Sequence, residues 1–262
     1  MHFSAISLFP EMFDALFHHS IFKRALGQNL ISADVYNIRD FAQGKHHVTD
    51  DKPYGGGSGM VFKPDPIVKA IESAKGAYPE SLTILLTPQG RTFDQKMAWE
   101  LSQKKSLILI CGRYEGVDER IALDYTDLEI SIGNYVLTGG EPAAMIIMDA
   151  VSRLIPGVLG AEDAAQLDSF SDGLLEYAQY TRPEVFENHH VPDILLSGHH
   201  QNINQWRRES ALIRTFLKRP ELFENISLSP EDLLILKKWA QKIETIISKQ
   251  SSHCPSSLSG AG

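Results

Sequence analysis

The chain has 262 residues, 43% of them hydrophobic, and a formal net charge of −8. That suits one large domain or two modest ones with a real core, and the acidic balance taken alone argues against nucleic acid as a partner. Two cysteines are too few for a disulfide framework and point to a reducing compartment. No apolar run approaches the roughly 18 residues of a bilayer span, and no charged-then-apolar leader opens the sequence, so a cytoplasmic protein is expected.

Residues 2–9 have strand character, and Pro10 suits the first turn of a helix over 11–17. Residues 35–38 form a short strand candidate, and 40–60 a polar, glycine-dense loop. A helix around 65–74 follows, with Pro66 near its start. Three apolar runs then each end in a glycine-bearing turn, at 82–90, 107–116 and 128–141, with a helical stretch over 94–103 between the first two. Cys111, closing the second run, is expected to be buried. After Gly140, Pro142 suits the first position of a helix over 143–154, which Pro156 and Gly157 end. Strands alternating with helices imply a mainly parallel sheet covered on both faces.

Residues 158–172 are small, polar and weakly periodic, as a linker would be. Beyond it the chain reads as helical. The stretch 203–218 stops before Pro220, and Ser229-Pro-Glu-Asp232 opens another helix with a capping serine, proline and first-turn acids. Leu236, Trp239, Ile243 and Ile246 share one face of that helix. The expected organisation is a first domain over 1–159, a linker over 160–172, a small helical domain over 173–250 and a disordered tail over 251–262. Charge is uneven: residues 1–199 carry a net −11 and residues 200–262 a net +3. The basic part reads either as a local phosphate-binding surface or as an ordinary solvated helix face.

Ligands of open α/β sheets sit outside the carboxyl ends of strands, and glycine there lets the backbone approach closely. The stretch 82–141 should therefore wall one pocket. Tyr54-Gly-Gly-Gly-Ser-Gly59 lacks the Gly-Lys-Ser/Thr ending of a phosphate loop, and no G-x-G-x-x-G follows a predicted strand. Residues 54–59 read as a backbone surface for a planar or anionic ligand, or as a flexible turn. Four His-His pairs, at 18–19, 46–47, 189–190 and 199–200, cannot each clamp one ion, because adjacent side chains on a helix or strand diverge. No metal site is expected; His46, beside Lys45, is a candidate phosphate or base contact. Asp168 in the linker is either a solvated loop charge or, against a pocket, a proton acceptor. Arg153 ends the helix after the third turn, either as a cation favoured at a helix C-terminus or as a fixed charge near developing negative charge.

The ordered set Ile6-Ser-Leu-Phe-Pro-Glu-Met-Phe13, Arg39-Asp-Phe41, Asp50-Asp-Lys-Pro-Tyr-Gly-Gly-Gly-Ser-Gly-Met60, Pro88-Gln-Gly90, Cys111-Gly-Arg-Tyr-Glu-Gly-Val-Asp-Glu-Arg120, 131–141, 152–160, Asp168-Ser-Phe170 and Tyr180-Thr-Arg-Pro-Glu-Val185 resembles the bacterial tRNA (guanine-37-N1)-methyltransferases, the TrmD family. The resemblance runs from residue 1 to about 225. It implies a SPOUT-type fold: a mainly parallel α/β sheet with a C-terminal trefoil knot in the N-terminal domain, followed by a small all-helical domain. Such knots are rare exceptions to unknotted topology.

The resemblance further implies S-adenosylmethionine bound at Leu86, Thr87, Pro88, Gln89, Gly90, Gly112, Tyr114, Glu115, Ser131, Ile132, Gly133, Asn134, Tyr135, Val136, Leu137, Gly139 and Gly140. It implies a homodimer with the active site shared between subunits, Asp168 as general base and Arg153 stabilising guanine O6. For tRNA with guanosine at position 37 it points to Arg24, His46, Asp50, Gly59 and Ser169. Arg207 and Arg208, with Trp206, Arg214 and Lys218, would clamp the anticodon stem. Family members are thought to use magnesium, although no metal-ligand pattern is visible here. Two departures stand out: Asn134 where relatives usually carry aspartate, and a proline one position early in Gly139-Gly-Glu-Pro-Ala-Ala144. Another SPOUT enzyme with a different RNA site, or a silent RNA-binding regulator, would share these features.

Overall fold

The computed structural model describes residues 1–160 and 164–251. They fall into two compact units, Met1–Ala165 and a second from Gln166 onward. Of the tail expected over 251–262, Ser251 ends a helix, and 252–262 together with linker residues 161–163 lie outside the described residues.

The first unit opens with β1 (His2–Ser7), a 3₁₀ turn over 10–13, α1 (Asp14–Phe17) and α2 (Ser20–Gly27), then β2 (Ser32–Asn37). A small antiparallel hairpin, β3 (Asp50–Asp51) and β4 (Val61–Phe62), frames the glycine-rich stretch. Next come α3 (Pro64–Ala77), β5 (Leu82–Thr92), α4 (Gln95–Ser102), β6 (Ser106–Cys111), α5 (Glu119–Tyr125), β7 (Leu128–Ser131) and α6 (Glu141–Ser152). The five long strands form one parallel sheet in the order β2-β1-β6-β5-β7.

Period-two alternation sorts the central strands onto two apolar layers, as a sheet covered on both faces requires. Phe3, Ala5, Ile84, Leu86, Leu107, Leu109 and Cys111 pack on one side with residues of α2, α4 and α6. Ile6, Leu85, Ile108 and Ile110 pack on the other with Ile67, Ala70, Ile71 and Ala74 of α3 and Ile121 of α5. Helix α4 is capped by Asp94, whose carboxylate accepts from the Met97 N–H at 2.7 Å.

Three expectations need correcting. Helix α6 begins at Glu141 rather than at Pro142, so an acidic side chain opens its first turn. Helix α5 was not expected; Asp118, which accepts from the Arg120 N–H at 3.1 Å, was its overlooked start signal. Residues 87–90 do not end β5 but bulge out of it: Leu86 and Arg91 both pair with Ile130, and the strand resumes to Thr92.

After α7 (Ala164–Leu167), the second unit carries β8 (Val185–Phe186), β9 (His189–His190), α8 (Asp193–Leu196), α9 (His200–Lys218) and α10 (Pro230–Ser251). The β8–β9 hairpin departs from the expectation of purely helical content. Ser229 and Asp232 cap α10 reciprocally: the Ser229 hydroxyl accepts from the Asp232 N–H, and the Asp232 carboxylate from the Ser229 N–H, both at 3.1 Å. Of the face expected to pack, Leu236 and Trp239 are half-buried, whereas Ile243 and Ile246 are exposed.

Candidate active site

A cavity of about 400 Å³ opens at the carboxyl ends of β5, β6 and β7, where open α/β sheets place their ligands. Its walls are the β5 bulge, the turn after β6 and the loop between β7 and α6. Glycine is required at the closest approaches. A Cβ on Gly90 would overlap the backbone of Glu129, so only glycine lets the bulge rejoin β7. A Cβ on Gly140 would lie 2.7 Å from the Cys111 Cα, while the Gly140 N–H donates to the Gly112 carbonyl at 2.8 Å. Tyr114 holds a left-handed φ of 60°, and its ring meets Phe62 edge-on at 5.6 Å.

Beneath the cavity lies a charged core. Glu141 is fully buried; its carboxylate accepts from the Ser7 hydroxyl at 2.8 Å and from the Arg113 Nε–H at 3.2 Å. The Arg113 guanidinium lies 4.3 Å over the Phe9 ring. Burial first, and then the Glu141 charge, push the Cys111 thiol well up, so this cysteine is inert apolar filling rather than a nucleophile.

The β3–β4 hairpin is stitched to the second turn. The Glu115 N–H donates to the Met60 carbonyl, the Phe62 N–H to Gly116, and the Asp118 N–H to Phe62, at 3.0 to 3.1 Å. Asp50 and Gly59 therefore stand beside the turn carrying Tyr114 and Glu115, and a Cβ on Gly59 would overlap the Glu115 carboxylate. The glycines at 55, 56, 57 and 59 all hold positive φ. Arg24 donates to the Val158 carbonyl at 2.6 Å, just beyond Arg153, the residue that closes α6. His46 is exposed.

In the second unit, residues 168–174 form a compact turn. The Phe170 N–H donates to the Leu174 carbonyl at 2.7 Å, and the Ser171 N–H to the Asp168 carbonyl at 3.2 Å. The Ser169 hydroxyl accepts from the Glu176 N–H at 3.0 Å. Thr215 and Ser210 of α9 accept from the Leu175 and Ala178 N–H groups, fixing this segment to the helix. Arg208 is bound to Asp232 at 2.7 Å and to Asp172. Hydrogen bonding from Arg208 holds the Asp232 carboxyl down at about 2 against the opposing effect of burial. The Arg207 guanidinium lies 4.8 Å over Tyr177, with its Nε buried and without a hydrogen-bond partner among the described residues.

Of the residues expected around the donor, the cavity is lined by all except Gly90 and Asn134. Gly90 serves strand approach, and Asn134 is exposed. Arg113, Glu119, Glu129 and Thr138 also line it and were missed. Arg113 sat in plain view within the second turn, but its buried partner is 28 residues away. No sequence pattern announces that pairing. Among the described residues no group of three or more His, Cys, Asp or Glu could hold a metal ion, and no helix is long and apolar enough to cross a membrane.

A parallel α/β domain with a backbone-built cavity at its strand ends is a small-ligand-binding domain, here joined to a chiefly helical unit. The family model described as tRNA (Guanine-1)-methyltransferase TrmD matches residues 1–225. A protein of Desulfatibacillum aliphaticivorans named tRNA (guanine-N(1)-)-methyltransferase is 51% identical over 259 residues, 99% of each chain. One of the same name from Dictyoglomus turgidum is 56% identical over 238 residues, 91% of this chain and 96% of its own. The chain belongs to the TrmD tRNA (guanine-1)-methyltransferase family.

Proposed function

We propose that the protein transfers a methyl group from S-adenosylmethionine to N1 of guanosine 37, beside the anticodon of tRNA. The observation that supports this most is the glycine-walled cavity of a chain in this family. The cavity suits the donor chemically. Main chain of 87–89 and 139 lines it, and Glu115, Glu119 and Glu129 suit a ligand carrying a positive sulfonium. When bound, S-adenosylmethionine supplies an electrophilic methyl group. The three turns would belong to the trefoil knot that the resemblance implies, and the second unit would be a tRNA-binding domain.

Guanine N1 carries a proton and is a poor nucleophile until that proton leaves. Asp168 accepts it as general base, and Arg153 stabilises the negative charge that moves to O6. In the homodimer of this reading, Asp168 of one protomer serves the cavity of its partner. The 168–174 turn, held by α9, keeps that carboxylate in place. Rigid walls contribute positioning, which lowers barriers by about 7–11 kcal/mol in well-oriented systems. The target base leaves its stack to be reached. Asp50, Gly59, Ser169, Arg24 and His46 meet guanine or backbone, and Arg207 with Trp206 grips the anticodon stem. Magnesium has no cluster of three or more His, Cys, Asp or Glu among the described residues.

The test is transfer of labelled methyl groups to a tRNA transcript, followed by nucleoside mapping. The expected product is 1-methylguanosine at position 37, lost when that guanosine is replaced. Label at another nucleotide would support a different RNA site, and RNA binding without transfer would support a silent regulator.

A further inference from the structure

We propose that the buried Ser7–Glu141–Arg113 chain is a positioning device that fixes the spacing of the second and third cavity turns and thereby sets affinity for the methyl donor. The inference rests on the reading of the cavity as the donor site.

Glu141 is fully buried and does not line the cavity. Any effect it has on a ligand there passes through its neighbours. Its carboxylate joins three distant segments: the end of β1 through Ser7, the turn after β6 through Arg113, and the start of α6 through its own backbone. Arg113 and Gly139 also pair directly as an isolated antiparallel bridge. A Cβ on Gly139 would lie 2.5 Å from a Glu141 carboxylate oxygen and 2.7 Å from the Arg113 Nε. The ion pair thus occupies the space that a side chain at 139 would need, and the third turn is shaped around it. Both Arg113 and Gly139 line the cavity.

Stability alone does not call for this arrangement, because well-packed apolar residues often replace a buried ion pair without loss. Directional bonds do something that apolar packing does not: they hold two loops at one separation. The Phe9 ring beneath the guanidinium and Met12 Sδ, 3.2 Å from Nη2, confine Arg113 from the other side. The Phe9 N–H in turn donates to the Ser7 hydroxyl at 2.9 Å, so the end of β1 is locked into the same chain.

Isothermal titration of the full-length protein with S-adenosylmethionine, beside a thermal melt, tests this. Glu141→Gln keeps the shape but removes the charge, and is expected to raise the donor Kd at least about tenfold. Ser7→Ala removes one neutral hydrogen bond and is expected to raise it about threefold. Donor KM rises in step while tRNA KM holds. Either variant binding donor as tightly as wild type, however far its melting midpoint falls, overturns the proposal, because that is the behaviour of a purely stabilising ion pair. Should Glu141→Gln fail to fold, Ser7→Ala carries the test alone. If the wild-type protein binds no donor, the reading of the cavity itself falls, and this inference with it.

Discussion

The two units use opposite materials. The first builds its cavity from backbone: glycines at 90, 139 and 140 stand where a Cβ would strike neighbouring chain or a buried ion pair. The second presents side chains, and several of its cations are already engaged. Arg208 is held by Asp232 and Asp172, Arg214 donates to the Glu176 carbonyl at 3.2 Å, and Arg219 pairs with Glu221. The net charge of +3 over 200–262 already counts Asp232 and Glu221. Backbone-built sites tolerate few substitutions at their closest contacts. Side-chain surfaces tolerate more, and their effects depend on salt.

The contrast can be sharpened or broken, beginning with the largest expected effect. Asp168→Asn should lower turnover about 10²- to 10⁴-fold while donor affinity stays within about twofold; unchanged turnover in the methyl-transfer assay removes Asp168 as base. Gly140→Ala should raise the donor Kd about 10²-fold by titration, since its Cβ meets main chain that cannot turn aside. Normal binding would mean that the third turn yields. Arg207→Ala should weaken tRNA binding about tenfold, lower its salt slope by about one, and leave donor affinity unchanged. An unaltered slope would assign Arg207 to packing against Tyr177. Asp232→Asn should have the smallest effect of the set, costing most at neutral pH and least in acid. With its carboxyl lowered from 3.8 to about 2, its contribution is complete above about pH 4 and is lost as pH falls through about 2, on the order of 1–2 kcal/mol. A wild-type melting midpoint that declines no more steeply over that window than the variant's would show the pair to be inert.

Sequence reasoning reached the cavity because glycine leaves a visible mark. The apolar runs over 82–90, 107–116 and 128–141, each closing in a glycine-bearing turn, name the three walls. It missed what depends on distance along the chain. The bulge at 87–90 arises because two β5 residues share Ile130, which no local pattern predicts. The bonds from Ser7 and Arg113 to Glu141 span 134 and 28 residues. The acids that hold Arg208, Asp172 and Asp232, likewise lie 36 and 24 residues away. Helix α5 differs: Asp118 and Glu119 are local start signals, legible without any distant partner.

The central claim is that one cavity of the first unit receives the methyl donor. A crystal structure of the protein soaked with S-adenosylmethionine tests it most directly. The account predicts the donor between the 87–89 bulge, the 112–116 turn and the 131–140 loop, with its sulfonium methyl facing the Asp168 carboxylate of one protomer in the assembly. Donor bound elsewhere, or every Asp168 carboxylate remote from the bound methyl group, would contradict it.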